Sequence, residues 1–455
     1  MRSSIRIFGI LSLIVILTIT EGFPKAFNWE WAKTLNSRST TVINALTADE
    51  NGNSYITGEF TDSLIIGNQK LFTRGHSDIF IARIDQAGEP MWIRQCGGTE
   101  SDEAYGIAVD PSGNVYVTGY ISGKADFSGV ILNSSLARDF FLAKYNKDGD
   151  LVWVKKQEGD NDDYGKSVCV DRNGNVYVSG VFHGKLVLGG KTVEPKGKLN
   201  VFIYKYTSTG DFLWGRTGEG EGSNQVAEIN VDHSGNVYMG GTFEGKAGFD
   251  KKFIVSVGNK DVFLVKYNTD GVIQWLKRGG SAIGEDKLSS IAVDSSENIF
   301  ISGSFSGTAS FDKKQLKSKG SDDLFLVKYS KEGNVLWAVQ SGGKGNEHSQ
   351  AMELDHAGNI YIAGNFNSSF TFGSSKINSI GDWDVFVLKY APDGKLLTGT
   401  QIGGKGYDKA TGIALGRNGS LWLTGYFVHE VSFGKIILKS QDDKGAVFFA
   451  LLKDL

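Results

Sequence analysis

Two cysteines in 455 residues leave no disulfide framework to read. Cys96 closes a strand-like run and Cys169 sits inside the string SVCVD, and a radial arrangement holds such positions beyond the roughly 7 Å between Cα atoms that a bridge tolerates. Both are expected as reduced thiols, with Cys169 a small buried hydrophobe. The six histidines, His76, His183, His233, His348, His356 and His429, never fall at the H-x-x-x-H spacing that would hold zinc. No G-x-S-x-G elbow, phosphate-cradling glycine loop or zinc motif is present, so no linear motif carries a catalytic assignment. A formal net charge of -3 leaves no basic excess for a nucleic-acid partner. After residue 22 no apolar pattern of helical period appears, which excludes a helical fold.

What the chain does have is a period. A pattern close to D-x-x-G-N-x-(Y/F)-x-x-G closes on Gly58, Gly119, Gly180, Gly241, Gly303, Gly364 and Gly425, at intervals of 61 or 62 residues. A period of this size that fills a chain marks a solenoid, a propeller or an array. Within the second repeat, Gly106 to Asp110, Val115 to Ile121, Phe140 to Tyr145 and Leu151 to Lys155 are short β-branched and aromatic runs bounded by Gly, Asn and Asp. Such runs read as antiparallel hairpins. A smaller hairpin signal, as at Leu64 to Leu71 or Leu186 to Val193, lies between the second and third runs. Each repeat is therefore expected to form a four-stranded blade with a decorated edge. The 60 glycines fall at turns and blade joints.

The two ends of the repeat array predict how it closes. The seventh repeat ends after its third run, Val447 to Leu452, while Trp29-Glu30-Trp31-Ala32-Lys33 imitates the fourth run Leu151 to Lys155. Tryptophans 31, 92, 153, 214, 275 and 337 keep the glycine spacing, with Thr398 in the seventh place. The expected fold is all-β: a seven-bladed β-propeller of four-stranded antiparallel blades, the N-terminal strand completing the C-terminal blade and removing an unpaired edge. It forms one domain over residues 23–455.

The string GIAVDPSGNVYVTGYISG followed by DFFLAKYNKDGDLVW resembles the bacterial seven-bladed beta-propeller repeat, the SBBP repeat, from about Trp29 to Leu455. The resemblance implies an exported propeller and supplies no catalytic residue. Residues 1–22 agree: Arg2 and Arg6 precede an apolar stretch from Ile7 to Ile19, which reads as a secretory signal peptide. The stretch is short of the roughly 20 residues that span a bilayer, so stable membrane insertion is not expected after its removal. The protein is expected in the periplasm or outside the cell, as a monomer.

Candidate site residues follow from the repeat and its exceptions. Asp102, Asp163, Asn224, Asp286, Glu347 and Asp408, with Thr41 in the first repeat, lie eight places before each inner-strand aspartate or its equivalent. They read either as an acidic collar around a central channel, attracting a cation or basic peptide, or as caps that accept backbone N-H bonds in their own turns. Asp160, Asp162 and Asp163 form an acidic cluster with a superficial likeness to a Ca2+ loop. Tyr105, Tyr164 and Tyr407, placed in the same loops, and Trp383 are aromatics suited to peptide or sugar recognition. His348 stands beside Glu347. The repeated cation of the third strand, Arg83, Lys144, Lys205, Lys266, Lys328 and Lys389, is expected to bury its stem and pair its head.

These features predict an exported, non-catalytic binding or scaffolding module whose partner is a protein, peptide or glycan. Two alternatives are a polysaccharide-acting enzyme using Asp286, Glu347, His348 and Asp408, and a structural or adhesive envelope protein. No cofactor is required beyond a possible Ca2+.

Overall fold

The structure, a computed structural model, describes residues 27–453 except 38–39, 135–136, 158, 160, 195–196, 374, 417 and 442–443. The segment expected to be a signal peptide, and Asp160 of the Ca2+ candidate, lie outside the described residues.

Every strand run read from the repeat is present. In the first repeat the order is Thr41–Ala48, Ser54–Phe60, Asp78–Ile84 and Pro90–Gly98, and the same inner-to-outer order recurs in the others. The central strands are buried on both faces: all seven residues of Val115–Ile121 and of Asp139–Tyr145 are buried. Sheets on either side bury both faces, which explains the lack of polar alternation in these runs. The aspartate that opens each hairpin turn organises it. Asp110 Oδ1 accepts from the backbone N-H groups of Ser112 and Asn114, both at 2.9 Å, and its Oδ2 from Asn114 Nδ2 and Tyr116 OH.

The last repeat is completed from the front of the chain. Trp29–Ser37 pairs antiparallel with Ala446–Leu452, with Trp31 opposite Leu451 and Leu35 opposite Val447. Together with Lys409–Leu415 and Leu421–Phe427 it makes the fourth quartet member that the seventh repeat otherwise lacks.

The small hairpins depart from expectation. They do not decorate their own repeat's sheet but extend the sheet of the preceding repeat. Lys124–Phe127 pairs with Pro90–Gly98, Lys246–Phe249 with Phe212–Gly220, and Ser369–Phe372 with Val335–Gly343. Ser63–Ile66 likewise pairs with Trp29–Ser37, and single bridges Gly159 to Leu186 and Gly403 to Ser432 continue the scheme. In the fifth repeat the second strand and the hairpin strand are one continuous strand, Ile299–Phe311, which pairs with Ile273–Ser281 and fuses two quartets into a ten-stranded sheet. The expectation of seven separate blades is thereby corrected. The described strands form six sheets of four or more strands, because lent hairpins carry hydrogen bonding across repeat boundaries and cover outer edges.

The recurrent tryptophan and cation explain the joints between repeats. Trp92 Nε1 donates to Lys147 O at 3.0 Å, Trp153 Nε1 to Ser208 O at 3.2 Å and Trp214 Nε1 to Thr269 O at 2.9 Å, each carbonyl lying in the turn of the next repeat. The third-strand cation reaches the same carbonyl: Arg83 to Lys147 O at 3.2 Å, Lys144 to Ser208 O and Lys205 to Thr269 O at 3.0 Å. Lys144, Lys205 and Lys266 each also sit about 5 Å above a tyrosine ring of their own repeat, Tyr116, Tyr177 and Tyr238, a favourable cation-π distance. In the last repeat Leu451 replaces the cation and Trp422 replaces the tyrosine, donating from Nε1 to Gly52 O at 3.2 Å.

Both cysteines are free. Cys96 is buried with Sγ 3.0 Å from Tyr145 OH, and burial pushes its thiol up to about 12, while Cys169 is only partly buried, on the innermost strand.

Candidate functional site

The innermost strands surround a channel, a cavity of about 730 Å³ to which every repeat contributes. Their sequences are Thr41–Ala48, Glu103–Val109, Asp163–Val170, Gln225–Val231, Lys287–Val293, Glu347–Leu354 and Lys409–Leu415. Each carries a β-bulge at its centre, for example between Ala104 and Gly106 or between Ser349 and Ala351. The residue left over at the bulge is Asn44, Tyr105, Lys166, Ala227, Ser289, Gln350 or Thr411, and all seven line the channel. A bulge leaves one residue out of the ladder and re-aims its side chain. At this place, constant in geometry, the repeat varies most freely in chemistry.

The collar carboxylates are not in the channel. Asp102, Asp163, Asn224, Asp286, Glu347 and Asp408 are all 0% exposed. Asp102 Oδ2 accepts from Gly98 N at 2.8 Å and its Oδ1 from Ser122 N at 3.0 Å. The Gly343 and Gly404 amides serve Glu347 and Asp408 in the same way, the Ser281 amide serves Asp286, and Asp163 accepts from His183 N. The five acids cap backbone amides, while Asn224 is buried with neither side-chain polar atom hydrogen-bonded, and the reading as an exposed acidic collar is corrected. Gly97 supplies the physical reason: at φ 139°, a Cβ there would stand 2.6 Å from Asp78 Oδ1 and 2.9 Å from Asp102 Oδ2. Only a bare backbone lets both acids close over the strand end.

These acids come in pairs across the repeats. Asp78 accompanies Asp102, Asp139 accompanies Asp163, Asp261 accompanies Asp286, Asp323 accompanies Glu347 and Asp384 accompanies Asp408. Where one member is an amide, Asn200, so is the other, Asn224. Burial pushes Asp102 and Asp408 up to about 7, Asp286 to about 6 and Glu347 to about 8; backbone donors pull them back and the partner acid raises them further.

At the Ca2+ candidate, two carboxylate oxygens already serve the chain's own amides. Asp162 Oδ1 accepts from Arg138 N at 3.0 Å, Asp163 is buried against His183 N, and no group of three or more His, Cys, Asp or Glu is placed to hold a metal ion among the described residues.

The aromatic candidates divide into two groups, each touching the channel lining through one member, Tyr105 or His348. Tyr105 and Tyr164 lie in innermost strands, not in loops, with ring centroids 5.8 Å apart. Tyr105 and Tyr120 both donate to Glu103, at 2.5 Å. Lys166 stands 4.7 Å from the Tyr105 ring and Arg138 4.8 Å from that of Tyr120, so two of these faces are already taken by the chain's own cations. Burial, with the neighbouring Glu103, pushes Glu59 up to about 7. On the other side, His348, Trp383 and Tyr407 come together: His348 to Trp383 at 5.2 Å and Trp383 to Tyr407 at 6.4 Å between ring centroids. Asp322 Oδ2 lies 3.1 Å from His348 Nε2, and Tyr407 is 38% exposed. The structure thus joins three residues that sequence reading singled out separately.

Sequence reasoning missed the lumen charges. Lys166, Lys260, Lys287 and Lys409 line the channel with Glu228 and Glu353. The signal was available as variation, not repetition, at the bulge and at the first place of each innermost strand.

Four-stranded antiparallel quartets packed face to face around a common lumen make this chain an all-β propeller. Two stretches, residues 92–128 and 152–181, match the SBBP beta-propeller repeat. Among curated relatives, the chain is 23% identical over 449 residues to the uncharacterized WD repeat-containing protein L264 of Acanthamoeba polyphaga mimivirus, covering 80% of this chain and 32% of that protein. It is 25% identical over 366 residues to the regulatory protein FlaEY of Caulobacter vibrioides, covering 77% and 33%. The chain thus spans about a third of the length of these relatives. Among solved structures, Sqt1 from Chaetomium thermophilum matches with a TM-score of 0.44 and 9% identity, over 94% of this chain and 100% of that one.

Proposed function

We propose that the chain is a binding or scaffolding propeller that takes its ligand at the channel mouth flanked by His348, Trp383 and Tyr407. One observation carries this reading: His348, held by Asp322, lines a 730 Å³ cavity, and a partly exposed Trp383 packs against it with a half-exposed Tyr407 packed against Trp383 in turn. Cavities of this size with a few convergent polar groups suit a small molecule or a chain end, and aromatic anchors beside polar groups suit recognition. In the same reading the ring counts seven blades, one per repeat, the lent hairpins being interlocks that leave that count unchanged. The Arg2, Arg6 and Ile7 to Ile19 pattern supports export to the periplasm or beyond. The enzymatic alternative gains no support, since Asp286, Glu347 and Asp408 are enclosed and bonded to backbone amides or hydroxyls.

The test uses the full chain as bait against secreted and envelope material of its source, beside a variant carrying Trp383→Ala and Tyr407→Ala. A saturable partner or glycan retained by the native chain and lost from the variant is expected. Equal capture by both would remove the mouth from consideration.

A further inference from the structure

The lumen departs in sign from the rest of the molecule. The chain as a whole carries a formal net charge of -3, yet four lysines and His348 face the channel against two carboxyls. Those two carboxyls are the wrong kind to balance them. Glu228 accepts from Ser290 Oγ at 2.7 Å and Ile291 N at 2.6 Å, and burial pushes it up to about 7; burial, with Glu228 nearby, pushes Glu353 up to about 8. Both therefore carry less than a full negative charge at neutral pH.

The lysines are unevenly spent. Lys260 is paired with Glu285 at 3.0 Å, and Lys287 reaches the same carboxylate only at 4.0 Å. Among the described residues no carboxylate lies within ion-pair distance of Lys166 or Lys409. Burial lowers the affinity of Lys166 for its proton, with Glu103 opposing, as befits a cation whose solvation has been removed without a matching anion. The remainder of the lining is amide and hydroxyl, including Asn44, Gln225, Ser289, Gln350 and Thr411. Such groups satisfy ligand hydroxyls, and an apolar ligand would leave them unpaired.

We infer that the channel binds a hydroxyl-rich anion, an oligouronate or the uronate end of an acidic polysaccharide, drawn in by the positive field of lumen lysines that include Lys166 and Lys409, with a sugar ring against Trp383 and Tyr407 at the mouth. The inference rests on the reading of the mouth as a binding site and adds the charge and class of what enters. A cleft lined by one sign of charge concentrates its counter-ion and speeds its capture.

Calorimetry on the full chain tests it with four probes: a galacturonate trisaccharide, a polygalacturonate chain, a neutral trisaccharide and a sugar phosphate. The uronate trimer is expected to bind at least about tenfold tighter than the neutral trimer, and to weaken with added salt. In the Lys166→Gln, Lys409→Gln double variant, folded by circular dichroism, that preference is expected to disappear. Lys409→Gln alone, at a partly buried site without an ion pair, is the second variant should the double variant not fold. Retention of the polymer as well as the trimer assigns an end-binding site, and retention of the trimer alone a free oligosaccharide. Equal affinity for the uronate and neutral trimers, an unchanged preference in the variants, or tighter binding of the sugar phosphate each overturns the inference. If the neutral trimer binds as well and is lost in Trp383→Ala, the charge assignment fails while the mouth stands. If no probe binds and the bait experiment is also empty, both fail.

Discussion

Six joints between neighbouring repeats are built alike, and the one from the sixth repeat to the seventh is not. In the regular joints a tryptophan of the fourth strand lies against the turn glycine of the next repeat: Gly88 against Trp31, Gly149 against Trp92, Gly210 against Trp153, Gly271 against Trp214, Gly333 against Trp275 and Gly394 against Trp337. At the odd joint Thr398 stands where the tryptophan belongs, and Lys389 keeps only its place 4.8 Å over the Tyr361 ring. The cause is topological. In the seventh repeat the third strand is Ala446–Leu452 and the fourth is Trp29–Ser37, so no turn joins them and a tryptophan at position 398 would have no turn to cover. The apparent defect in the sequence ladder is a consequence of where the chain is closed.

Removing residues 27–37 should have the largest effect on this comparison, since it strips the last repeat of a strand and the first repeat's hairpin of its partner. Calorimetry of that truncation is expected to show no sharp cooperative transition, and a native-like one would refute closure by this strand. Next, Trp92→Ala should cost about 3–5 kcal/mol, the range for large buried aromatics, whereas Thr398→Ala should cost under about 0.5 kcal/mol. Denaturant unfolding of the two variants measures the difference, and similar losses at both places would show that the odd joint is not exempt.

The smallest effect separates repeats by their acid pairs. Carboxyls that titrate near 7 in the folded ring and near 4 when unfolded leave the folded protein holding more protons between those values. Stability is therefore expected to decline as pH rises through that window. The melting temperature should be higher at pH 5 than at pH 8. Replacing Asp78 and Asp102 together by asparagine, which copies the Asn200 and Asn224 pair, should flatten the slope by on the order of 1 kcal/mol across the window, a pKa unit being worth about 1.4 kcal/mol. A melting temperature that climbs from pH 5 to pH 8 would show that these pairs do not hold protons.

Much of this ring is legible in the chain because its physics is local and repeated. Alternating Val, Tyr and Phe runs, D-x-x-G-N turns and the early Trp29 to Lys33 run each carry their meaning within a few residues. The lent hairpins are not legible, since nothing near Lys124–Phe127 says that it will pair with Pro90–Gly98 and not within its own repeat. The collar failed for a related reason. Spacing put Asp102 and Asp408 near the channel, but whether a carboxylate there faces water depends on how closely a glycine backbone passes it. Among the candidate site residues, His348, Trp383 and Tyr407 emerged as departures from the repeat. Lys166 and Lys409 were as visible, had departures at the innermost strand been compared place by place.

The pairing of Trp31 with Leu451 also sets an order of events. Contacts between residues far apart along the chain are slow to form, and this one joins almost the first described residue to almost the last. Until synthesis has reached the seventh repeat, the strand at the front has no final partner on one side. A chain delivered front end first must therefore keep that strand waiting, through six repeats of growth, before the ring can latch.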